Sequence, residues 1–281
     1  MRARNTLIVW FGLVILAAGI VLAVINGRVL PTAFLELLVA SLEKGPRSSL
    51  PPYDFSWGTM EWNGAMPAFT RLCIGLILLG VGHWRVLGAI AREAGGKGRR
   101  AALIVAGLLV VLAGLSGISI PFGIRSAFGL LAMTGSADPV AFGENLPVFW
   151  TVVFRSALAA ATGIILVLGI RGAISPASTT SALAGPSRVL FLSSGLTMLG
   201  FCLLIVLAYT PIRDAFQLVA STAPSTLDPA QLARLINSAI RWMIAAFTLL
   251  SLHGALLVGM ACSSSFNAAE STGSDRTTRG I

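Results

Sequence analysis

Residues 241–262 read RWMIAAFTLLSLHGALLVGMAC and contain no acidic residue. About 20 mostly apolar residues in a helix are enough to cross the hydrocarbon core of a bilayer. The segment therefore predicts a membrane-spanning helix. It begins with Arg241, and His253 follows twelve residues later.

The same spacing of arginine and histidine occurs earlier in the chain. Residues 71–83 read RLCIGLILLGVGH, and His83 and His253 are the only two histidines. A third apolar segment has Arg155, with Val167 where the histidine would fall. Recurrence at equivalent places is typical of an internal repeat. We interpret the chain as one helical hairpin that is present three times.

Composition supports an all-α integral membrane protein. The chain has 281 residues, of which 56% are hydrophobic and 11% charged, and its mean hydropathy is +0.86. Soluble domains contain about 25% charged residues. The long apolar runs predict six spanning helices, at residues 6–26, 68–90, 101–121, 148–170, 188–209 and 238–262.

The formal net charge of +9 indicates orientation rather than a nucleic-acid partner, because the basic residues are scattered along the loops. The loops on one side of the membrane carry eleven Lys/Arg and three Asp/Glu, against nine and eight on the other side. Short loops rich in Lys and Arg stay in the cytoplasm, so both termini are expected there. The Arg-, Ala- and Gly-rich composition is typical of GC-rich bacterial genomes, and we expect a bacterial plasma (inner) membrane.

The predicted repeat divides the chain into three hairpins and a tail. Matches at an offset of 88 residues, such as Gly107 with Gly195, relate the second hairpin to the third. The predicted units are 1–95 with a long aromatic outer loop, 96–175, 176–262, and a polar, disordered cytoplasmic tail at 263–281.

Each outer loop begins with an amphipathic stretch, at 31–41, 123–133 and 211–221, which predicts short helices on the outer face. Pro211 suits the first turn of such a helix, with Thr210 as its N-cap. Asp228 and Pro229 repeat this signal and predict a last helix of about 34 residues that projects beyond the membrane.

Three sets of residues are candidates for function. Within the first outer loop, residues 42–67 contain the aromatic side chains Tyr53, Phe55, Trp57 and Trp62. They are typical of an aromatic belt at the membrane interface, and the alternative is a docking site for a partner protein. The second set consists of Arg71, Arg155 and Arg241. These arginines either hold the outer cap onto its helices or form a basic vestibule that binds an anionic ligand or lipid headgroup.

The third set is the histidine pair, His83 and His253. Two histidines at the inner membrane interface can simply bond to the backbone. Two imidazoles from two helices are also the axial ligands that a haem b needs. A proton relay is a further alternative, but the predicted spans contain no Asp or Glu. The sequence has no recognisable catalytic motif and no metal-site spacing.

Residues 71–88, RLCIGLILLGVGHWRVLG, resemble the opening helix of the DoxX-like small membrane proteins, with arginine and glycines in similar places. That family has four helices, and the resemblance covers 18 of the 281 residues. No function follows from it.

These patterns favour a non-enzymatic multi-pass membrane protein that serves as a structural or accessory subunit of a membrane complex. Its expected partners are the lipid bilayer and other membrane subunits. The first alternative is a small transporter or lipid-binding protein that uses the outer arginines. The second is a haem b electron-transfer protein that uses the two histidines.

Overall fold

A computed structural model describes residues 10–22, 25, 65–92, 97–123, 125–126, 148–174, 185–221 and 228–263, with residue 124 excepted. Nearly all of these residues are helical, and none of them lies in a strand. The helices are α1 (Trp10–Leu22), α2 (Ala65–Arg92), α3 (Lys97–Gly117), α4 (Val148–Ile174), α5 (Gly185–Ser221) and α6 (Pro229–Cys262). After a turn at Ile118, the chain continues as helix from 119 to 123.

Five helices, α2 to α6, are long and apolar enough to cross a membrane. The described part of α1 is apolar but shorter. The prediction of an all-helical membrane protein is confirmed to this extent. The bounds of α2, α3 and α4 follow the predicted spans to within four residues, because length and hydropathy dictate them. Helix α5 ends twelve residues after its predicted span, and α6 begins nine residues before its own.

Three helices, α2, α4 and α6, meet in the centre of the bundle. Val86 of α2 lies against Gly169 of α4. The ring of Phe247 in α6 packs edge-on against Phe154 of α4, with the ring centroids 5.5 Å apart. His83 in α2 contacts His253 in α6. Each central helix therefore touches the other two.

The other three helices each pack against two of the central ones. Helix α3 packs along α4 and α6, and α5 packs along α6 and α2. Helix α1 lies against α2 through Gly19 and Gly82, and its Leu13 lies against Gly169 of α4. In each case one neighbour is the next helix in the chain, which the connecting loop joins to it.

Glycines set the shortest of these helix contacts. A Cβ atom at Gly107 of α3 would lie 2.7 Å from the carbonyl oxygen of Gly254 in α6, and one at Gly254 would lie 2.5 Å from that of Gly107. The two backbones touch where both side chains are absent. Close approach of this kind is how helices gain van der Waals contact in a membrane, where lipid is as apolar as the protein.

Of the two helix starts predicted at prolines, the one at Pro229 is confirmed and the one at Pro211 is not. Asp228 caps α6 as predicted: its side chain accepts a hydrogen bond of 2.9 Å from the backbone N–H of Ala230, and α6 has 34 residues. At Pro211 the prediction of a new helix is wrong, because α5 continues through this residue to Ser221. Proline removes one backbone hydrogen bond from the helix. The helix nevertheless continues, and Ile212 and Ala215 just after the proline are buried.

Two other predicted outer helices lie outside the described residues, namely 31–41 and nearly all of 123–133.

Candidate functional site

The two histidines of the chain form a direct hydrogen bond in the interior of the bundle. Nε2 of His83 lies 2.9 Å from Nε2 of His253. The ring centroids are 4.8 Å apart, and the ring planes are inclined at 67°. His83 is 4% exposed and His253 is 1% exposed, so both side chains are shielded from the surroundings.

Ser194 of α5 completes the site. Its backbone carbonyl oxygen lies 2.8 Å from Nδ1 of His253, and its hydroxyl Oγ lies 3.0 Å from the same nitrogen. Ser194 is fully buried. The site therefore joins three helices, with His83 on α2, His253 on α6 and Ser194 on α5.

The partners fix which nitrogens carry hydrogen. A carbonyl oxygen only accepts, so Nδ1 of His253 must be the donor to Ser194. In neutral His253, Nε2 is then the acceptor, and Nε2 of His83 must donate to it. The hydrogen bonds therefore run in one direction, from His83 to His253 to Ser194.

Neighbouring contacts hold the helices at this spacing. Trp84, next to His83, packs its indole ring against the Cα of Gly195, next to Ser194. Further along α2, Gly80 lies against the side chain of Cys202 in α5. A Cβ atom at Gly80 would lie 3.1 Å from Sγ of Cys202, and one at Gly195 would lie 3.0 Å from the ring of Trp84. Helices α2 and α5 are therefore closely packed on both sides of the site.

The pair has a limited capacity for protons. If His83 gains a second proton, its Nε2–H still donates to His253, and the two rings share one positive charge. If both rings are protonated, both Nε2 atoms are donors and their bond is lost. The geometry therefore accommodates one excess proton at most while the bond is kept.

The haem alternative requires a different geometry at the same residues. A metal ion lies about 2 Å from an imidazole nitrogen, as for zinc, so two axial nitrogens are about 4 Å apart. The two Nε2 atoms are 2.9 Å apart and bond to each other. A haem would have to break this bond and separate α2 from α6, so the arrangement does not fit a haem between the rings.

The third helix of the predicted repeat contributes nothing to the pair. Val167 of α4, at the position equivalent in spacing to the histidines, is 52% exposed. Spacing from the arginine fixes depth along a helix, but not the direction in which the side chain points.

The three arginines all lie in the N-terminal halves of the central helices. Arg155 in α4 and Arg241 in α6 are exposed, and Arg71 in α2 is half-buried. Arg71 and Arg155 make contacts with other groups. Their placement at one end of three adjacent helices agrees with both interpretations. In the first the arginines hold the short outer helices onto the bundle, and in the second they form a basic vestibule.

The aromatic candidates Tyr53, Phe55, Trp57 and Trp62 lie outside the described residues. The described cysteines are all unpaired thiols, with Cys73 and Cys202 buried and Cys262 exposed. Within the described helices, no three His, Cys, Asp or Glu side chains gather in a way that could hold a metal ion.

Ser194 is the functional-site residue that sequence reasoning missed. Ser193 and Ser194 precede the centre of α5, and in an antiparallel hairpin this places them at the depth of His253. A hydroxyl predicted at the depth of a buried histidine is the signal that would have found it.

Comparison of the chain with protein families, with curated proteins and with solved structures found no match in any of the three.

Proposed function

We propose that this chain is a non-enzymatic, multi-pass plasma-membrane protein that serves as a structural or accessory subunit of a membrane complex. The observation that best supports this proposal is the length of α5 and α6. They have 37 and 34 residues, which correspond to about 55 and 50 Å, whereas the hydrocarbon core is about 30 Å thick. This pair of helices extends past the bilayer by roughly 20 Å.

The extended parts of α5 and α6 have buried apolar residues of their own and offer a surface for a partner. On α5, Ile212 and Ala215 are buried, and on α6 Leu232 and Ile236 are buried. All four belong to the apolar core of the bundle. Arg241 and Trp242 are both exposed, as expected of residues at the membrane interface. The twelve residues of α6 that precede them then form about 18 Å of helix outside the membrane.

The proposed architecture has six spans and three repeated hairpins, with α1 completing the first hairpin. The pattern of contacts supports it. The first helix of each hairpin packs against its own partner and against the second helix of another hairpin, and these contacts follow one cyclic order: α1 on α4, α3 on α6 and α5 on α2. A threefold repeat would give this order.

The proposed location is a bacterial inner membrane, with both termini in the cytoplasm. The helix ends that flank the connections from α2 to α3 and from α4 to α5 are basic, which supports this orientation. They carry Arg92, Lys97, Arg99, Arg100, Arg171 and Arg188. The extension of α5 and α6, together with the aromatic loop at 42–67, then faces the periplasm. A partner is expected on that side.

Site-specific photo-crosslinking in native membranes tests the proposal. The crosslinking residue is placed at Gln231 or Arg234, which are exposed on the extension, and at Leu252, which is exposed on the lipid-facing part of the same helix. We expect one protein partner to be captured from the first two positions and not from Leu252. The substitution Ala233→Glu puts a charge between the two crosslinking positions. It should abolish capture of the partner while the chain remains in the membrane.

Native gel electrophoresis of gently solubilised membranes provides the second measurement. An accessory subunit migrates in a complex that contains a second protein and is lost with Ala233→Glu. Migration at the mass of the chain or its own oligomer, with only self-crosslinks from Gln231 and Arg234, would refute the proposal.

A second candidate is a small transporter or lipid-binding protein that uses Arg71, Arg155 and Arg241. The observation in its favour is that these residues lie at the same end of the three central helices, two of them exposed. Loss of anion or lipid binding in Arg155→Ala, with Arg85→Ala as the control at the opposite end, would favour this candidate.

A further inference from the structure

A groove between α3 and α4 has the properties of a lipid site. It has a volume of about 430 Å³, within the usual range of small-molecule pockets, and it is open to the side of the bundle. Apolar residues of α4, such as Ala160 and Val167, line its length. Arg171 lines one end of it, in the last turn of α4, and is exposed.

Two glycines in this groove have no close neighbour in the described part of the chain. A Cβ atom at Gly98 or at Gly163 would meet no described atom within 4 Å, in contrast to Gly107 and Gly254, where the facing backbone leaves no room. Glycine in a helix is less stable than alanine. No helix contact requires a glycine at either position, and both positions line one groove. We take this as an indication that a molecule outside the chain occupies the groove.

The length of the groove matches one leaflet of the bilayer. Ala160 and Arg171 are eleven residues apart on α4, which is about 16 Å along the helix axis. Half of the hydrocarbon core is about 15 Å thick. An acyl chain that lies along α4 from Arg171 would therefore end near the middle of the membrane.

The positive charge at the Arg171 end of the groove selects the lipid headgroup. Arg171 lies there, and Arg99 and Arg100 follow Gly98 in the first turn of α3. The N-terminus of a helix also carries a partial positive charge, which favours a phosphate. Basic pockets between spanning helices are the usual sites for anionic phospholipid headgroups.

We infer that this groove binds one anionic phospholipid, with an acyl chain along Gly163 and the phosphate at Arg171. This site lies at the opposite end of the bundle from Arg71, Arg155 and Arg241, and it does not depend on the subunit role. Phosphatidylglycerol is the probe, because it presents a single phosphate with no balancing positive charge.

The test is native mass spectrometry of the purified chain in detergent micelles with equal amounts of phosphatidylglycerol and phosphatidylcholine of the same chain length. Wild-type protein is expected to retain phosphatidylglycerol preferentially. Arg171→Gln should weaken that binding about fivefold, since one basic residue contributes roughly that factor. Gly163→Leu places a large side chain in the groove, at a position where a Cβ atom has no described neighbour within 4 Å, and should reduce binding of both lipids at least tenfold.

Two matched variants serve as controls. Ala159→Leu places the same leucine side chain at an exposed position of α4 outside the groove, and Arg85→Gln removes an exposed arginine of α2 at the same end of the bundle. Both should bind as wild type. Glycerol 3-phosphate, which has no acyl chain, should not compete.

Three outcomes overturn the inference. Equal retention of the two lipids by wild-type protein removes the headgroup selection. Unchanged binding in Gly163→Leu shows that the lipid lies elsewhere, and a Gly163→Leu variant that loses a dimer rather than a lipid shows that a second copy of the chain fills the groove.

Discussion

Replacement of the two histidines by leucine, singly and together, tests whether their hydrogen bond holds α2 to α6. His253→Leu leaves the Nε2–H of His83 without its acceptor, in a place that water does not reach. His83→Leu leaves Nε2 of His253 without its donor. A buried polar group that loses its partner costs about 1–3 kcal/mol, so each single variant should be destabilised by about that amount.

The double variant should be more stable than the sum of the single variants predicts. With both imidazoles gone, neither leaves an unpaired nitrogen behind, and Ser194 can turn its hydroxyl to a carbonyl of its own helix. Interhelical hydrogen bonds in membrane proteins contribute about 0.6 kcal/mol on average and at most about 1.7. Because both histidines are almost fully buried, we expect a coupling energy in the upper half of this range.

The assay is unfolding in mixed micelles of mild detergent and sodium dodecyl sulfate, followed by tryptophan fluorescence. Trp84 adjoins the site and reports on it directly. Leu232→Ala provides the control, because Leu232 is buried but lies 21 residues from His253, about 31 Å along α6. Its effect should add to that of His253→Leu. A coupling between the histidines below about 0.4 kcal/mol, the usual scatter of independent sites, would refute the bond.

Further predictions concern packing, capping, cofactor and topology. Gly107→Ala should destabilise the bundle by several kcal/mol because its Cβ overlaps α6, whereas Gly163→Ala, with open space around it, should be neutral or stabilising by up to about 1 kcal/mol; thermal unfolding in detergent compares the two, and equal shifts would contradict the packing. Asp228→Ala should cost about 0.5–2 kcal/mol and speed hydrogen exchange in the first turn of α6, and Asp228→Asn should restore protection; identical exchange in all three proteins would exclude a capping role. The protein purified after expression with haem available should be colourless, both oxidised and reduced with dithionite; a Soret band that disappears in His83→Ala would reinstate the haem. Reporter fusions after residues 96 and 281 should be cytoplasmic and a fusion after residue 225 periplasmic; the opposite pattern would invert the proposed topology.

The sequence predicted the helices well because their bounds depend on a local property. Hydropathy alone placed both ends of α2, α3 and α4 to within four residues, and the capping signal of Asp228 and Pro229 placed the start of α6. The predicted end of α5 was wrong because Pro211 is a local signal, whereas the burial of Ile212 and Ala215 beyond it depends on the folded bundle. That tertiary contact has no signature in the residues around the proline.

The sequence predicted how far along their helices the two histidines lie, but not the directions in which their side chains point. Equal spacing from Arg71 and Arg241 places His83 and His253 at one level of the membrane. It does not tell whether the two rings face each other, and Val167 shows that the same spacing can lead to the lipid-facing surface. The facing direction depends on how each helix packs in the folded bundle, which the residues next to the histidines do not encode.

The three places where central helices meet differ in chemistry, and this difference bears on what the histidine pair is for. Between α2 and α4 the contact is Val86 on Gly169, and between α4 and α6 it is Phe154 on Phe247. Apolar packing forms part of both of these contacts, whereas the contact between α2 and α6 includes a hydrogen bond between two imidazoles. If the double leucine variant folds as predicted, a change in partner capture or complex stability that it still shows cannot come from a collapsed bundle. It would have to come from the directional hydrogen bonds of the pair, or from the one proton that they can share.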